Sequence, residues 1–313
     1  MAVSPEISTI MDNLTILLYH GVTNFSDPQK VRNYSGKHMD IKIFELQMRM
    51  LKKRNNVVSM DQVVDMVQGE KGWPKNSVAI TFDDGFENNY LYAKGILEEL
   101  ELPATFYVCS GMINSNMMFW VDRIEDTIAE SRSELIELNI PDRTVFDLRG
   151  ERKKIEAIQR IKGLCKKLEP PKRELLIDAL VKQTRAVPSV DHSPDYKLMS
   201  WEQVRAIHES TLFTLGAHTL YHDILSTNAE DSMRRDISLS IGLLAHNLKS
   251  EVRHFAYPEG QGRHYNIDVI NELKSAGIVC CPSAIFGDNP PGADLFHLKR
   301  IMPGFSGQPF PIT

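Results

Sequence analysis

Cysteine is scarce in this chain: Cys109, Cys165, Cys280 and Cys281 are all that 313 residues contain. None stands in a CxxC spacing and the adjacent pair cannot easily bridge to itself, so neither a zinc ribbon nor a disulfide framework is indicated; the pattern suits a reducing compartment. Long hydrophobic runs are also missing. The apolar stretch nearest the N-terminus, Leu14 to Tyr19, has the length of a strand and not of a transmembrane segment. The stretch before it, MAVSPEISTIMDN, has no basic n-region and no apolar h-region, which predicts a cytoplasmic protein. Nor is there an excess of charge: 36 Lys and Arg against 41 Asp and Glu give a formal net charge of -5, which argues against a general nucleic-acid binder. No internal repeat or low-complexity tract is visible.

What the chain does have is core-forming material, at 42% hydrophobic and 25% charged residues. Short apolar runs rich in β-branched and aromatic residues recur at 14–20, 77–82, 104–110, 211–217, 252–258, 277–283 and 295–301. Helical patterns separate most of them. Ser59 with Gln62 and Ser200 with Gln203 read as capping boxes, and Asp231 or Ser232 reads as the start of a helix through MRRDISLSIGLLAHNL. Such alternation predicts a parallel sheet, and about seven units predict an α/β fold closed into a distorted (β/α)7-8 barrel.

From about residue 116 to 194 the rhythm fails, with helical patterns and no convincing strand. This reads as a helical insertion within a single domain covering 1–313. The insertion is basic, with Arg149, Arg152, Lys153, Lys154, Arg160, Lys162, Lys166, Lys167, Lys172 and Arg173 close together, which reads first as a solvated helix face.

Two short segments carry chemistry. In ITFDDG, 80–85, a buried strand ends in two neighbouring carboxylates, Asp83 and Asp84; local rules alone would make this an Asp-Gly turn. In GAHTLYHDILS, 216–226, His218 and His222 stand at i and i+4, so both imidazoles can reach one metal. The zincin pattern is disfavoured because Thr219 stands where its glutamate would be. Two histidines plus one of the aspartates would leave a coordination position open, and the second aspartate could stay unligated as a base, since a cation relieves the repulsion between adjacent carboxylates.

Taken in order, TFDDG, HTLYH and HFAYPEG resemble the leading motifs of the polysaccharide deacetylases, the NodB-homology group also called carbohydrate esterase family 4. The resemblance runs from LLYHGV at 17–22 to LKRI at 298–301, and it too implies a distorted (β/α) barrel. It implies that Asp83 is the general base and that Asp84, His218 and His222 hold a divalent metal, zinc by default, with cobalt or nickel fitting the same ligands. It implies attack of water on an acetamide carbonyl, with Tyr257, Pro258, Glu259 and Gly260 forming the substrate-binding loop. Two departures stand out: Ala256 occupies the place of an arginine that orients the base, and Glu259 occupies the place of a tyrosine. Arg253 or Arg300 could supply the missing charge. The family's Asp-rich fourth motif ending in Trp is not visible, and Trp201 reads as helix packing. For the catalytic acid the resemblance points to His297, in Leu295-Phe296-His297, with His20 at the end of the first strand as its rival. His38, His192, His208, His246, His254 and His264 read as surface or packing residues.

The expected activity is therefore removal of an N-acetyl or N-formyl group from an amino sugar in a glycan or glycan precursor, nucleotide-linked or lipid-linked sugars being favoured by the N-terminus. Two alternatives remain open: a hydrolase of the same fold acting on a small non-sugar amide or ureide, and a catalytically silent sugar-binding protein.

Overall fold

The computed structural model describes residues 13–24, 30–69, 72–139 and 142–311, so most of the N-terminal stretch from which the cytoplasmic expectation was drawn lies outside the described residues. In chain order the elements are β1 (Thr15–Tyr19), β2 (Gly21–Thr23), β3 (His38–Asp40), α1 (Ile41–Arg54), β4 (Asn56–Val58) and α2 (Met60–Gln68). There follow β5 (Ser77–Phe82), α3 (Lys94–Glu99), β6 (Ala104–Val108), α4 (Trp120–Ala129), β7 (Leu135–Asn139) and β8 (Arg143–Asp147). The rest are α5 (Gly150–Cys165), α6 (Pro170–Thr184), α7 (Trp201–His208), β9 (Phe213–Ala217), α8 (Glu230–Leu248) and α9 (Ile267–Ser275). Among the described residues no helix is long and apolar enough to cross a membrane.

A five-stranded parallel sheet in the order β1-β5-β6-β9, with β4 also on β5, makes the frame of a mixed α/β fold. Its central strand, SVAITF, is buried at every position, because helices cover both faces of a parallel sheet and only a continuous apolar run satisfies both. The Phe82 ring stacks on Phe106 of the next strand at 4.8 Å between centroids, so Phe82→Ala would cost about 3–5 kcal/mol. Both predicted capping boxes are present, at Ser59 with Gln62 and at Ser200 with Gln203. Helix α8 starts one residue before the earlier of its two expected openings, with Ala229 at the cap and Glu230 and Asp231 in the first turn, where acids suit the helix dipole.

The expected barrel is not what the strand ladders draw. The runs 252–258, 277–283 and 295–301 contribute single bridges, Ala217 to Phe255, His254 to Cys280 and Leu17 to Ile301, rather than further ladder strands. Pro258 and Pro282 offer no N–H, so each of the first two runs lacks a ladder donor at its proline, although Ser283 beyond the second still donates to the Leu298 carbonyl at 2.8 Å.

The stretch 116–194 also needs correction, because it contains strands. β7 and β8 form an antiparallel hairpin in which Leu138 faces Thr144 and Ile136 faces Phe146. Ile136, Leu138 and Phe146 are buried, yet Leu135 and Val145 point outward and stay exposed, so apolar residues on both faces hide the period-two pattern. Helices α4, α5 and α6 pack with this hairpin around a second core that includes Ile124, Ile128, Ile158, Ile161, Ile177 and Leu180.

Candidate active site

Parallel strands deliver their carboxyl ends to one edge of the sheet, and the chemistry-bearing residues are the next residues out. His20 follows β1, and Asp83 follows β5 with its N–H donated to the Tyr19 carbonyl at 2.9 Å. His218 follows β9, its N–H donated to the Val108 carbonyl at 3.0 Å. The two acids point different ways because the backbone turns sharply after Asp83: Asp84 has φ +77° and Gly85 φ +89°. A Cβ on Gly85 would press on Val108 at 3.1 Å, which only glycine avoids.

Asp84 faces both imidazoles. Its Oδ1 lies 3.5 Å from His218 Nε2 and 3.3 Å from His222 Nε2, and this oxygen is buried without a hydrogen-bond partner. His218 Nδ1 lies 2.8 Å from the Ala256 carbonyl, an acceptor only, so the ring proton sits on Nδ1 and the Nε2 lone pair is turned toward Asp84. His222 reaches the same point from a loop and not from a helix, with Thr219 at φ +67° and His222 itself at φ +61°. Trp120 of α4 donates its indole N–H to the His222 carbonyl at 3.3 Å. Left-handed backbone at Asp84, Thr219 and His222 costs of order 1–3 kcal/mol each and persists only where the surroundings dictate it.

The three donor atoms lie within 4.8 Å of one another, all on buried residues. Burial pushes the His222 imidazole down to about 4, which keeps it neutral and able to ligate at neutral pH. Burial also lowers His218, but the attraction of Asp83 and Asp84 outweighs it and the net direction is up. Two imidazole nitrogens and one unpartnered carboxylate oxygen fit a divalent cation such as zinc.

Asp83 stands beside this group, its Oδ2 4.0 Å from His218 Nε2. Burial alone would push its carboxyl up; Arg300, with help from His218, more than offsets this and holds it below the ordinary carboxylate range. Arg300 Nη1 donates to Oδ1 at 2.8 Å and Nη2 to Oδ2 at 2.7 Å. Its Nε donates to the Ser283 carbonyl at 2.6 Å, and Nη1 also reaches Thr81 Oγ1 at 3.2 Å, so the fork is fixed from behind.

These groups open into a cavity of about 220 Å³. A family model described as polysaccharide deacetylase matches residues 70–281, more than half of the chain. The chain belongs to the polysaccharide deacetylase family. Its fold is similar to that of IcaB from Ammonifex degensii, at 18% identity and TM-score 0.61, covering 93% of this chain and 92% of that one. It is similar in the same way to the Streptococcus pyogenes deacetylase PplD, whose structure holds acetate, at 15% identity, TM-score 0.61 and coverage of 93% and 92%. A de-N-acetylase from Aggregatibacter actinomycetemcomitans follows at 17% identity and TM-score 0.56, covering 92% of this chain and 94% of that one. A comparison with curated proteins finds no match.

In this member of the family, the place left empty by Ala256 is served by an arginine from elsewhere in the chain. Of the two candidates, Arg253 is exposed, whereas Arg300 is buried against Asp83. His20 and His297 also part company. His20 lines the cavity with its Nδ1 buried and unpartnered, and burial lowers its imidazole against the pull of Asp84 and Asp83. The His297 side chain is 51% exposed, its Nδ1 lies 2.9 Å from Asp294, and it is not part of the cavity wall. Tyr257 and Glu259 line the cavity, while Pro258 and Gly260 shape the turn between and after them. Gly260, at φ +52°, could not carry a Cβ, which would fall 2.4 Å from the Ala284 nitrogen. His38, His254 and His264 are buried, and His192 and His246 are exposed.

Sequence reasoning did not place Lys37, Lys162 and Lys166 here, yet all three line the cavity opposite the carboxylates. The only signal was the basic content of the insertion, and periodicity could not say which of its lysines face inward.

Proposed function

We propose that this protein is a metal-dependent hydrolase that removes an N-acetyl or N-formyl group from an amino sugar in a glycan or glycan precursor. The observation that carries the reading is a single juxtaposition: a carboxylate locked by a buried arginine fork, Asp83 with Arg300, beside a buried and unpartnered Asp84–His218–His222 donor set. Asp84, His218 and His222 would hold the ion, which when bound supplies Lewis acidity toward the amide carbonyl and toward water. Asp83 takes a proton from the attacking water, and Arg300 keeps that carboxylate ionised and aimed. The turn from Tyr257 to Gly260 bounds the acyl group. His20 lines the cavity and, although burial lowers its imidazole, passes to the departing amine, as the C–N bond breaks, the proton that water yields to Asp83. One C–O bond forms, one C–N bond breaks, and the products are the free amine and acetate or formate.

The parallel sheet continued by the bridges at Phe255, Cys280 and Ile301 supports reading the fold as a distorted, incompletely closed barrel in a single domain, with 116–194 inserted. We take zinc as the ion, a nucleotide-linked or lipid-linked sugar as the substrate, and the cytoplasm as the setting. Ala256 and the missing fourth motif were the grounds for a catalytically silent sugar binder, and an arginine from elsewhere on Asp83 answers the first of them. The test is release of acetate or formate from a panel of sugar nucleotides, lipid-linked sugars and N-acetylated oligosaccharides, with and without chelator. Release that chelator does not affect would sink the metal-dependent reading, and no release from any amino sugar would sink the substrate class.

A further inference from the structure

Part of the cavity wall comes from the 116–194 stretch, which supplies Val121, Glu125, Lys162 and Lys166. Lys162 of α5 pairs with Glu125 of α4 at 2.6 Å, and Lys166, the residue that caps the end of α5, pairs with Glu259. Glu125 cannot swing away, because it also accepts from the Asn33 N–H at 2.6 Å and the Tyr196 hydroxyl at 2.5 Å. Glu259 is held by its own backbone, at φ +59° and followed by Gly260 wedged against Ala284. Its side chain is only 15% exposed, so the ion pair with Lys166 is largely sheltered from water.

These four residues carry two positive and two negative charges, and Lys37, the third lysine on the cavity, is paired with the buried Asp122. A neutral wall of fixed ammonium donors and carboxylate acceptors gives no net attraction to an anionic or cationic group, but it matches a neutral polyol, whose hydroxyls both donate and accept. We propose that Lys166 is a positioning residue which holds the Glu259 carboxylate at the cavity wall as acceptor for a hydroxyl of the neutral amino-sugar unit, whatever that unit is linked to, with Lys162 and Glu125 completing the same wall. Recognition of the sugar is then shared between the Glu259 turn and the helices of the 116–194 stretch, and bond breaking belongs to the strand ends. This rests on the amino-sugar reading above.

The experiment compares the wild type with Lys166→Met, Lys166→Arg and the charge-swapped pair Lys166→Glu with Glu259→Lys. Steady-state kinetics use N-acetylglucosamine oligomers on metal-loaded enzyme, and calorimetry measures binding of the same oligomers to the Asp83→Asn background with and without Lys166→Met. Lys166→Met is expected to raise KM and the calorimetric Kd about tenfold while kcat changes less, the scale of one charge-assisted hydrogen bond. Lys166→Arg should return most of the loss, and the swapped pair should bind better than either single change, which a merely structural role would not produce. Unmoved KM and Kd in Lys166→Met, or equal loss in the swapped pair and both singles, would overturn the proposal. Oligomer binding by the wild type without acetate release would leave the wall standing and sink the reaction; turnover that is blind to Lys166 would do the reverse. A wild type that binds no neutral N-acetyl sugar would overturn the wall outright.

Discussion

Arg300 holds Asp83 by two parallel hydrogen bonds between groups that are both almost fully buried, with exposures of 2% and 3%. Breaking such a pair from one side strands a charge in the interior, so Arg300→Met should destabilise the fold by about 3–5 kcal/mol. Arg300→Lys keeps a charge but not the fork, and should fold while kcat falls at least tenfold. Chemical denaturation and steady-state kinetics check the two separately, and full activity in Arg300→Lys would remove the role given to the fork.

Removal of the ion should abolish turnover, and zinc should restore it. Asp84→Asn, His218→Gln and His222→Gln should each lower the metal content of purified protein, measured by elemental analysis. The three donors converge on one point, so the loss should be similar for all three.

The two candidate acids are separated by a pair of substitutions. His20→Gln should lower kcat by about 10²–10⁴-fold, the usual contribution of a positioned proton donor. His297→Gln, on a half-exposed side chain outside the cavity, should stay within about twofold of wild type. The opposite result would return the role to His297.

Asp236 offers a stability test that leaves catalysis aside. Burial pushes its carboxyl up to about 7, with Asp223 adding to the rise, while its Oδ1 accepts the Leu220 N–H at 3.0 Å. A folded value above the unfolded one means that the stabilisation is complete at low pH and is lost as pH rises through about 7. Asp236→Asn keeps an acceptor for Leu220 and removes the charge. It should raise stability at pH 8, by at most about 4 kcal/mol, and by less than half of that at pH 5, because the loss begins as soon as pH passes the unfolded value. Equal effects at both values, measured by denaturant unfolding, would contradict the buried-charge account.

The legible part of this chain was the part written locally. A parallel strand is buried on both faces, so SVAITF reads as a strand, and its two terminal acids fall at the sheet edge. His218 and His222 could be paired with Asp84 because motif order carried them together. The hairpin of β7 and β8 stayed hidden because Leu135 and Val145 are apolar on the outer face. Lys162 and Lys166 looked solvated because a basic helix facing water and one facing a polar cavity have the same periodicity. No spacing rule could choose between Arg253 and Arg300, since the choice depends on which strand end lies beside which.

Arg300 lies 217 positions after Asp83. At roughly 5–20 residues per second, synthesis of that interval takes on the order of 10–40 s, and a growing chain carries both acids, and for the last third of that time both histidines, before the arginine that braces Asp83. A chain interrupted between residues 260 and 300 has all three motifs without the brace, so Asp83 is held only once the segment that carries Arg300 docks beside β5.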